Sequence, residues 1–191
     1  MTHASERRQI AAYGRLLWER RLVTGSSGNI SVRLAGGDLL VTPSAHCLRD
    51  LQADEMVQTD PQGVPRGGGT PTSELPLHVA CYAARPDIRA IVHTHPTFCV
   101  VCSKTGAPFE QDTVGARETL GPVAWTPYEP PGSTALAQVV AAAAASGVDT
   151  ILMERHGLTA VASHLEPAFL RTDLAEEAAR IAFFSRFFPA G

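Results

Sequence analysis

The apolar run Ala90-Ile91-Val92 leads into His93-Thr94-His95 and is stopped by Pro96. In an extended strand successive side chains point to opposite faces, so the two imidazoles share one face. Two imidazoles side by side form a clamp for a divalent metal, and zinc is the ion that suits them best. A second apolar run, Thr150 to Met153, leads to His156, which offers a third nitrogen. A carboxylate, Glu74, opens a helix upstream. Three histidines with a nearby acid describe a catalytic metal site, which keeps one position open, better than a structural one. The ordinary alternative is a set of hydrogen-bonded histidines with no ion.

The bulk composition narrows the function classes. With 191 residues the chain is long enough for a sizeable core and reads as one domain, residues 1–191. The net charge of -3, from 16 Lys and Arg against 19 Asp and Glu, gives no basic footprint for nucleic acid. A small acidic excess still permits a phosphorylated substrate, because backbone donors can make a site locally positive. No run approaches the roughly 20 apolar residues of a membrane span, and the N-terminus lacks a signal-peptide pattern. No membrane partner is therefore expected, and a cytoplasmic location is the default. The four cysteines do not argue for a disulfide scaffold, and Cys99 and Cys102 read as core residues.

Helical and strand patterns alternate along the chain. Residues 5 to about 22 predict a helix, with Ile10, Tyr13, Leu16 and Leu17 on one face. After the turn Thr24 to Asn29, the alternation of Ile30, Val32 and Leu34 predicts a strand. Gly36-Gly37-Asp38 turns it into the strand Leu39 to Val41. Val57 to Thr59 is a short strand. Thr72 or Ser73 is positioned to cap a helix reaching about Ala84, with Pro76 tolerated near its first turn. Residues 97 to 103 read as helical, and 105 to 130 as loops and short strands, Val123 to Trp125 the best of them. Pro130-Pro131-Gly132-Ser133 starts a helix over 134–146. Leu158 to Val161 reads as a continuation of the strand at Ile151 to Met153. A final helix runs from about Glu166 to Phe187. The pattern predicts an α/β protein with a mixed or antiparallel sheet.

Several residues outside the histidine set can also carry chemistry. Near a metal and partly desolvated, Glu74 can act as a general base; a solvated carboxylate in the first turn of a helix is the equal alternative. The Thr24 to Asn29 turn lacks the Walker lysine and the dinucleotide glycine spacing, yet its donors can cradle a small anion. Ser44, Thr72 and Ser73 add further hydroxyls. His3, His46, His78 and His164 read as ordinary histidines.

Taken in order, these segments resemble the class II aldolase and adducin family over residues 7 to 188. The resemblance rests on Thr24-Gly25-Ser26-Ser27-Gly28-Asn29-Ile30-Ser31, Thr42-Pro43-Ser44, and Pro71-Thr72-Ser73-Glu74 with His78. It continues through Arg85-Pro86-Asp87, His93-Thr94-His95-Pro96, Pro127-Tyr128 with Pro131-Gly132-Ser133, and His156-Gly157-Leu158. It implies a three-layer fold with a central, mostly antiparallel sheet flanked by helices. It implies that His93, His95 and His156 hold zinc, with manganese or cobalt as alternatives, and that Glu74 moves the proton. Gly28, Asn29, Ser44, Thr72 and Ser73 match phosphate-binding positions, and Asn29 also matches a position that binds the enediolate oxygen. Members resemble one another in being cyclic tetramers with sites near subunit interfaces.

The activity implied is a metal-dependent aldolase of the fuculose-1-phosphate type, cleaving a carbon-carbon bond of a small phosphorylated ketose through a zinc-stabilised enediolate. Thr42 to Leu51 and Pro127 to Ser133 also resemble family decarboxylases acting on 3-oxo-tetronate 4-phosphates, and epimerase or dehydratase members share the metal site. The chain departs from the family pattern at Ala45, usually glycine, and at Arg155, usually asparagine. Ser73 stands where those decarboxylases tend to carry lysine. Adducin-like binding modules resemble the fold but lack the metal histidines, so metal content separates that non-enzyme reading. Tyr128 reads as structural.

Overall fold

The computed structural model describes residues 2–105 and 113–188. Helix α1 spans Ala4–Glu19 and buries Arg7, Ile10, Gly14 and Leu17, a stripe at helical spacing. The predicted helix runs to 22 and counts Leu16 among its apolar face, but the structure ends it earlier and leaves Leu16 40% exposed. The reason is a left-handed residue, Arg21 at φ 59°. The Leu22 N–H returns to the Leu17 carbonyl at 2.9 Å and the Arg21 N–H to the Trp18 carbonyl at 2.9 Å. This is the paired closure usually made with glycine, here made with arginine, so the usual stop signal is missing from the sequence.

Seven strands form one sheet: β1 Asn29–Arg33, β2 Leu39–Val41, β3 Val57–Thr59, β4 Ala90–Thr94, β5 Val123–Thr126, β6 Thr150–Met153 and β7 Gly157–Ala162. Their order is β3-β2-β1-β4-β7-β6-β5. Every neighbouring pair is antiparallel except β5 and β6. The predicted continuation of the Ile151 strand through Leu158 is therefore a hairpin: β7 runs back against β6, with Met153 opposite Gly157. Arg155, at φ 55°, turns the chain between them.

Helices cover both faces, as the resemblance implies. The remaining ones are α2 Leu75–Ala84, α3 Thr97–Thr105, α4 Val114–Thr119, α5 Thr134–Ala145 and α6 Leu165–Ser185. On one face Ile30, Val32, Ala90, Val92 and Ala160 pack with Ile10 and Leu17 of α1 and Ala168 of α6. On the other, Ile91, Ile151, Met153 and Val161 pack with Leu77 and Cys81 of α2 and Leu136 and Val140 of α5. Period-two alternation thus puts Ile91 and His93 toward α2, and likewise Asn29 and Ser31 of β1. A third cluster joins Cys99, Cys102, Ala116 and Leu120 to Leu152, Leu158 and α6. Both of these cysteines are free and buried, as expected.

Three further expectations change. Residues 114–119, expected as loop or strand, form α4, whose start is fixed by the Thr113 hydroxyl accepting the Ala116 N–H at 3.2 Å. The part of that expectation over 106–112 lies outside the described residues. Neither Thr72 nor Ser73 caps α2. Glu74 is its N-cap residue, the Thr72 hydroxyl accepts the Glu74 N–H at 3.3 Å, and Pro76 sits in the first turn as expected. The final helix ends at Ser185 rather than Phe187. Among the described residues no helix is long and apolar enough to cross a membrane.

The close approach of β7 to β4 depends on Gly157. A Cβ there would lie 2.1 Å from the Thr94 carbonyl oxygen and 2.9 Å from a ring carbon of His95. Backbone cannot yield as a flexible side chain does, so Gly157→Ala is expected to destabilise the fold by about 2–3 kcal/mol. That corresponds to a melting temperature lower by roughly 5–10 °C for a chain of this size. A variant melting within a degree of the parent would show that the strands are not packed this tightly.

Candidate active site

Three segments converge at one end of β4. His93 is the fourth residue of that strand, with Asn29 of β1 opposite it on one side and Thr159 of β7 on the other. His95 follows just past the strand end, its N–H bonded to the Leu22 carbonyl at 3.1 Å. His156 is the last residue of the β6–β7 turn, brought over the end of β4 because Thr94 pairs with Leu158. The predicted trio is thereby assembled: one ligand atom from each of His93, His95 and His156 lies within 4.8 Å of the others.

The imidazoles are prepared for a cation. His93 Nδ1–H donates to the Leu158 carbonyl at 3.1 Å, which leaves the Nε2 lone pair facing inward. His93 Nε2 and His95 Nε2 are 2.9 Å apart. Burial, and then the neighbouring His93 and His156, push the His95 pKa down to about 3. A ring held neutral in this way is in the form that binds metal.

Glu74 closes the fourth side. It is 5% exposed, so the solvated alternative does not hold. Its Oε2 is 2.9 Å from His93 Nε2 and its Oε1 is 3.3 Å from His156 Nε2. Burial raises its pKa, but His93 and then His156 beside it outweigh that and hold the carboxyl well below its usual range. Despite these approaches neither carboxylate oxygen has a hydrogen-bond donor of acceptable geometry, and His156 Nδ1 also lacks a partner. A buried carboxylate without a donor is costly. Set against three converging imidazoles, it fits a divalent cation with histidine and carboxylate ligands.

Above the cluster lies a cleft of about 390 Å³, lined by all five expected phosphate-binding residues, Gly28, Asn29, Ser44, Thr72 and Ser73, and by Glu74, His95 and His156. Gly28 is at φ 78°, and a Cβ on it would meet the Val23 side chain at 2.4 Å and the His93 carbonyl oxygen at 3.0 Å. Not every donor there is free. The Ser44 N–H is bonded to the Thr70 carbonyl at 2.9 Å and the Thr72 N–H to the Thr42 carbonyl at 3.0 Å. Those two residues therefore offer their hydroxyls, not their backbone.

Three cleft residues were missed or undervalued in the sequence. Tyr128, read as structural, lines the cleft and is half exposed. Ala45 and Arg155 also line it, and both adopt left-handed backbone, at φ 59° and 55°. The left-handed region costs a residue with a Cβ roughly 1 kcal/mol or more, and such residues concentrate at functional sites. Arg155 is the one permanent cation among the cleft-lining residues. The signal for Ala45 and Arg155 was their departure from the family pattern, and Tyr128 lies in a segment that carries the resemblance.

The comparisons agree with this geometry. Residues 8–183 match the family described as Class II Aldolase and Adducin N-terminal domain. An L-fuculose phosphate aldolase of Methanococcus maripaludis is 32% identical over 166 residues, 87% of this chain and 89% of that one. A 3-oxo-tetronate 4-phosphate decarboxylase of Haemophilus influenzae is 31% identical over 194 residues, 96% and 89% of the two chains. The solved structure of YgbL from Klebsiella pneumoniae, given as an aldolase, epimerase or decarboxylase, superposes with a TM-score of 0.86. It is 33% identical, covering 96% of this chain and 91% of that one. With the fold, the histidine cluster and these relatives in agreement, the chain belongs to the class II aldolase and adducin family, on its enzyme side.

Proposed function

We propose that this chain is a divalent-metal-dependent lyase that cleaves a carbon-carbon bond beside the carbonyl of a small phosphorylated ketose, as an L-fuculose 1-phosphate aldolase does. The observation that carries this reading is the buried, donorless Glu74 carboxylate facing three imidazoles at the floor of a hydroxyl-lined cleft. His93, His95 and His156 would hold the metal. Zinc suits three nitrogen ligands, and manganese or cobalt accept the same set. When bound, it supplies a Lewis acid that favours negative charge developing on substrate oxygens.

The remaining chemistry belongs to the chain. Ser44, Thr72 and Ser73 hydroxyls and the Gly28-Asn29 segment bind the phosphate and fix the register of the substrate. The Asn29 amide donates to the oxygen on which charge develops, where a preorganised donor is most effective. Cleavage breaks the bond between the carbon next to the carbonyl and the hydroxyl-bearing carbon beyond it. The latter gives up its hydroxyl proton, which the ionised Glu74 carboxylate takes up, and departs as an aldehyde, leaving an enediolate. Glu74 delivers a proton to the enediolate carbon, giving dihydroxyacetone phosphate; in the reverse direction its carboxylate removes that proton. The downward displacement of its pKa supports the ionised form as the resting base.

A second reading has an observation of its own. Arg155 gives the cleft a cation beyond the phosphate-binding hydroxyls, which suits a substrate with a carboxylate as well as a phosphate. That substrate is a 3-oxo-tetronate 4-phosphate, and loss of carbon dioxide from it leaves the same kind of enediolate.

Two measurements test the reading. The metal-loaded protein is incubated with a panel of ketose 1-phosphates and 3-oxo-tetronate 4-phosphates, with products read by mass spectrometry. Dihydroxyacetone phosphate with an aldehyde supports the aldolase, carbon dioxide supports the decarboxylase, and no product from any member would sink both. Separately, His95→Ala is expected to weaken metal binding by more than the roughly 10–100-fold that loss of a ligand's supporting partner costs. Glu74→Gln is expected to keep the metal and lower turnover by about 100-fold or more, as loss of a positioned acid-base group does. A fully active, metal-free His95→Ala protein would remove the assignment.

A further inference from the structure

Beneath the cleft runs a buried chain of hydrogen bonds that the mechanism above does not use. His78 projects from α2 toward β1. Its Nε2 is in hydrogen-bond contact with Asn29 Oδ1, and its Nδ1 is 2.6 Å from Ser31 Oγ. Ser31 Oγ is in turn 2.9 Å from the Tyr82 hydroxyl. His78 and Ser31 are fully buried, and Asn29 and Tyr82 are 5% exposed. Burial, then the nearby His93, hold the His78 pKa down to about 3, so at neutral pH the ring carries a single N–H.

A chain of such groups can run in only two directions. Suppose Asn29 Nδ2 donates to His78. Then His78 Nδ1–H donates to Ser31, Ser31 donates to Tyr82, and the Tyr82 proton is left with no acceptor. The guanidinium of Arg33 lies over the Tyr82 ring at 4.7 Å and can only donate. In the other direction Tyr82 O–H donates to Ser31, Ser31 O–H to His78 Nδ1, and His78 Nε2–H to Asn29 Oδ1. Every proton is used, and a buried donor left unmade is costly. That direction also leaves Asn29 Nδ2, which makes no other hydrogen bond among the described residues, for the cleft that Asn29 lines.

We propose that Tyr82, Ser31 and His78 are positioning residues that lock the Asn29 amide with its NH2 group toward the cleft, so that it meets a developing oxyanion as a fixed donor. The proposal rests on the enediolate chemistry proposed above. An asparagine amide has nearly the same shape when flipped, but the flipped form would present a carbonyl oxygen to negative charge. The chain of three donors removes that ambiguity, and none of the three touches the substrate.

The direct test is 15N NMR of the zinc-loaded protein labelled at histidine, with His78→Gln used to assign the ring. The expected signature is a protonated Nε2 and an unprotonated Nδ1; the opposite tautomer would overturn the proposal. In kinetics, His78→Leu and Ser31→Ala are expected to lower kcat by about 10–100-fold, the range for loss of a supporting partner, with KM and metal content nearly unchanged. His78→Gln, which keeps an N–H near the Nε2 position, recovers part of that loss. Tyr82→Phe deletes one oxygen from an otherwise intact core, and the reverse direction would then strand the Ser31 proton in place of the Tyr82 proton, so the chain keeps its polarity. It is expected to keep the protonated Nε2 and to lower kcat by no more than about threefold, much less than His78→Leu. Wild-type kcat in His78→Leu and Ser31→Ala, a Tyr82→Phe protein with the opposite tautomer, or a Gln variant as poor as Leu with only thermal stability changed, would also overturn it. If the wild type turns over no substrate, the proposed function fails, and the tautomer still decides the polarity of the chain.

Discussion

The antiparallel pairing of β4 with β7 is the contact on which the site depends. Its register sets Thr94 opposite Leu158, so the β6–β7 turn overhangs the end of β4 and carries His156 to His93 and His95. A slip of one residue would reverse the facing of every side chain in β7 and withdraw the third imidazole. The register is fixed from both sides. Alternating apolar residues bury the two faces of the sheet against different helices, and Gly157 allows a backbone approach that any side chain would block. The Leu158 carbonyl that β7 presents also takes the His93 Nδ1 proton, so one pairing both gathers the three imidazoles and sets a tautomer.

The second organising element is the start of α2. Thr72, Ser73 and Glu74 lie where chain bridged to the β2 end at Pro43 turns into a helix, and the turn aims the carboxylate under the histidines. Glu74 is held by packing and by charge rather than by hydrogen-bond donors, an arrangement that stores polarity where chemistry needs it. On the same helix His78 reaches β1, so the start of α2 presents both the Glu74 carboxylate to the histidines and a hydrogen-bond partner to Asn29.

Much of this was legible in the chain itself. Strand alternation placed His93 and His95 together, and the Pro-Gly-Ser stop before 134 marked α5, where Ser133 Oγ accepts the Leu136 N–H at 3.0 Å. Elements that use uncommon residues for their turns were not legible. Arg21 and Arg155 occupy left-handed backbone that sequence reasoning reserves for glycine or asparagine, so α1 was read too long and the β6–β7 hairpin as one strand. α4 is a six-residue helix with no periodic pattern long enough to see. Glu74 could be read as solvated or buried because that choice depends on what lies across from it. His78 looked ordinary for the same reason: its partners are 47 and 49 residues away, on a strand whose register no local pattern reveals.

The His93–Leu158 contact closes a separation of 65 residues, and the strands that flank β4 come from opposite ends of the sequence. Long-range antiparallel pairing of this kind is slow to form, because chain entropy is lost before the contacts reward it. The histidine-floored pocket therefore has no precursor in any local hairpin or helix pair. During synthesis it cannot exist until the ribosome has released β7, and in a refolding experiment recovery of the pocket should trail recovery of helical signal.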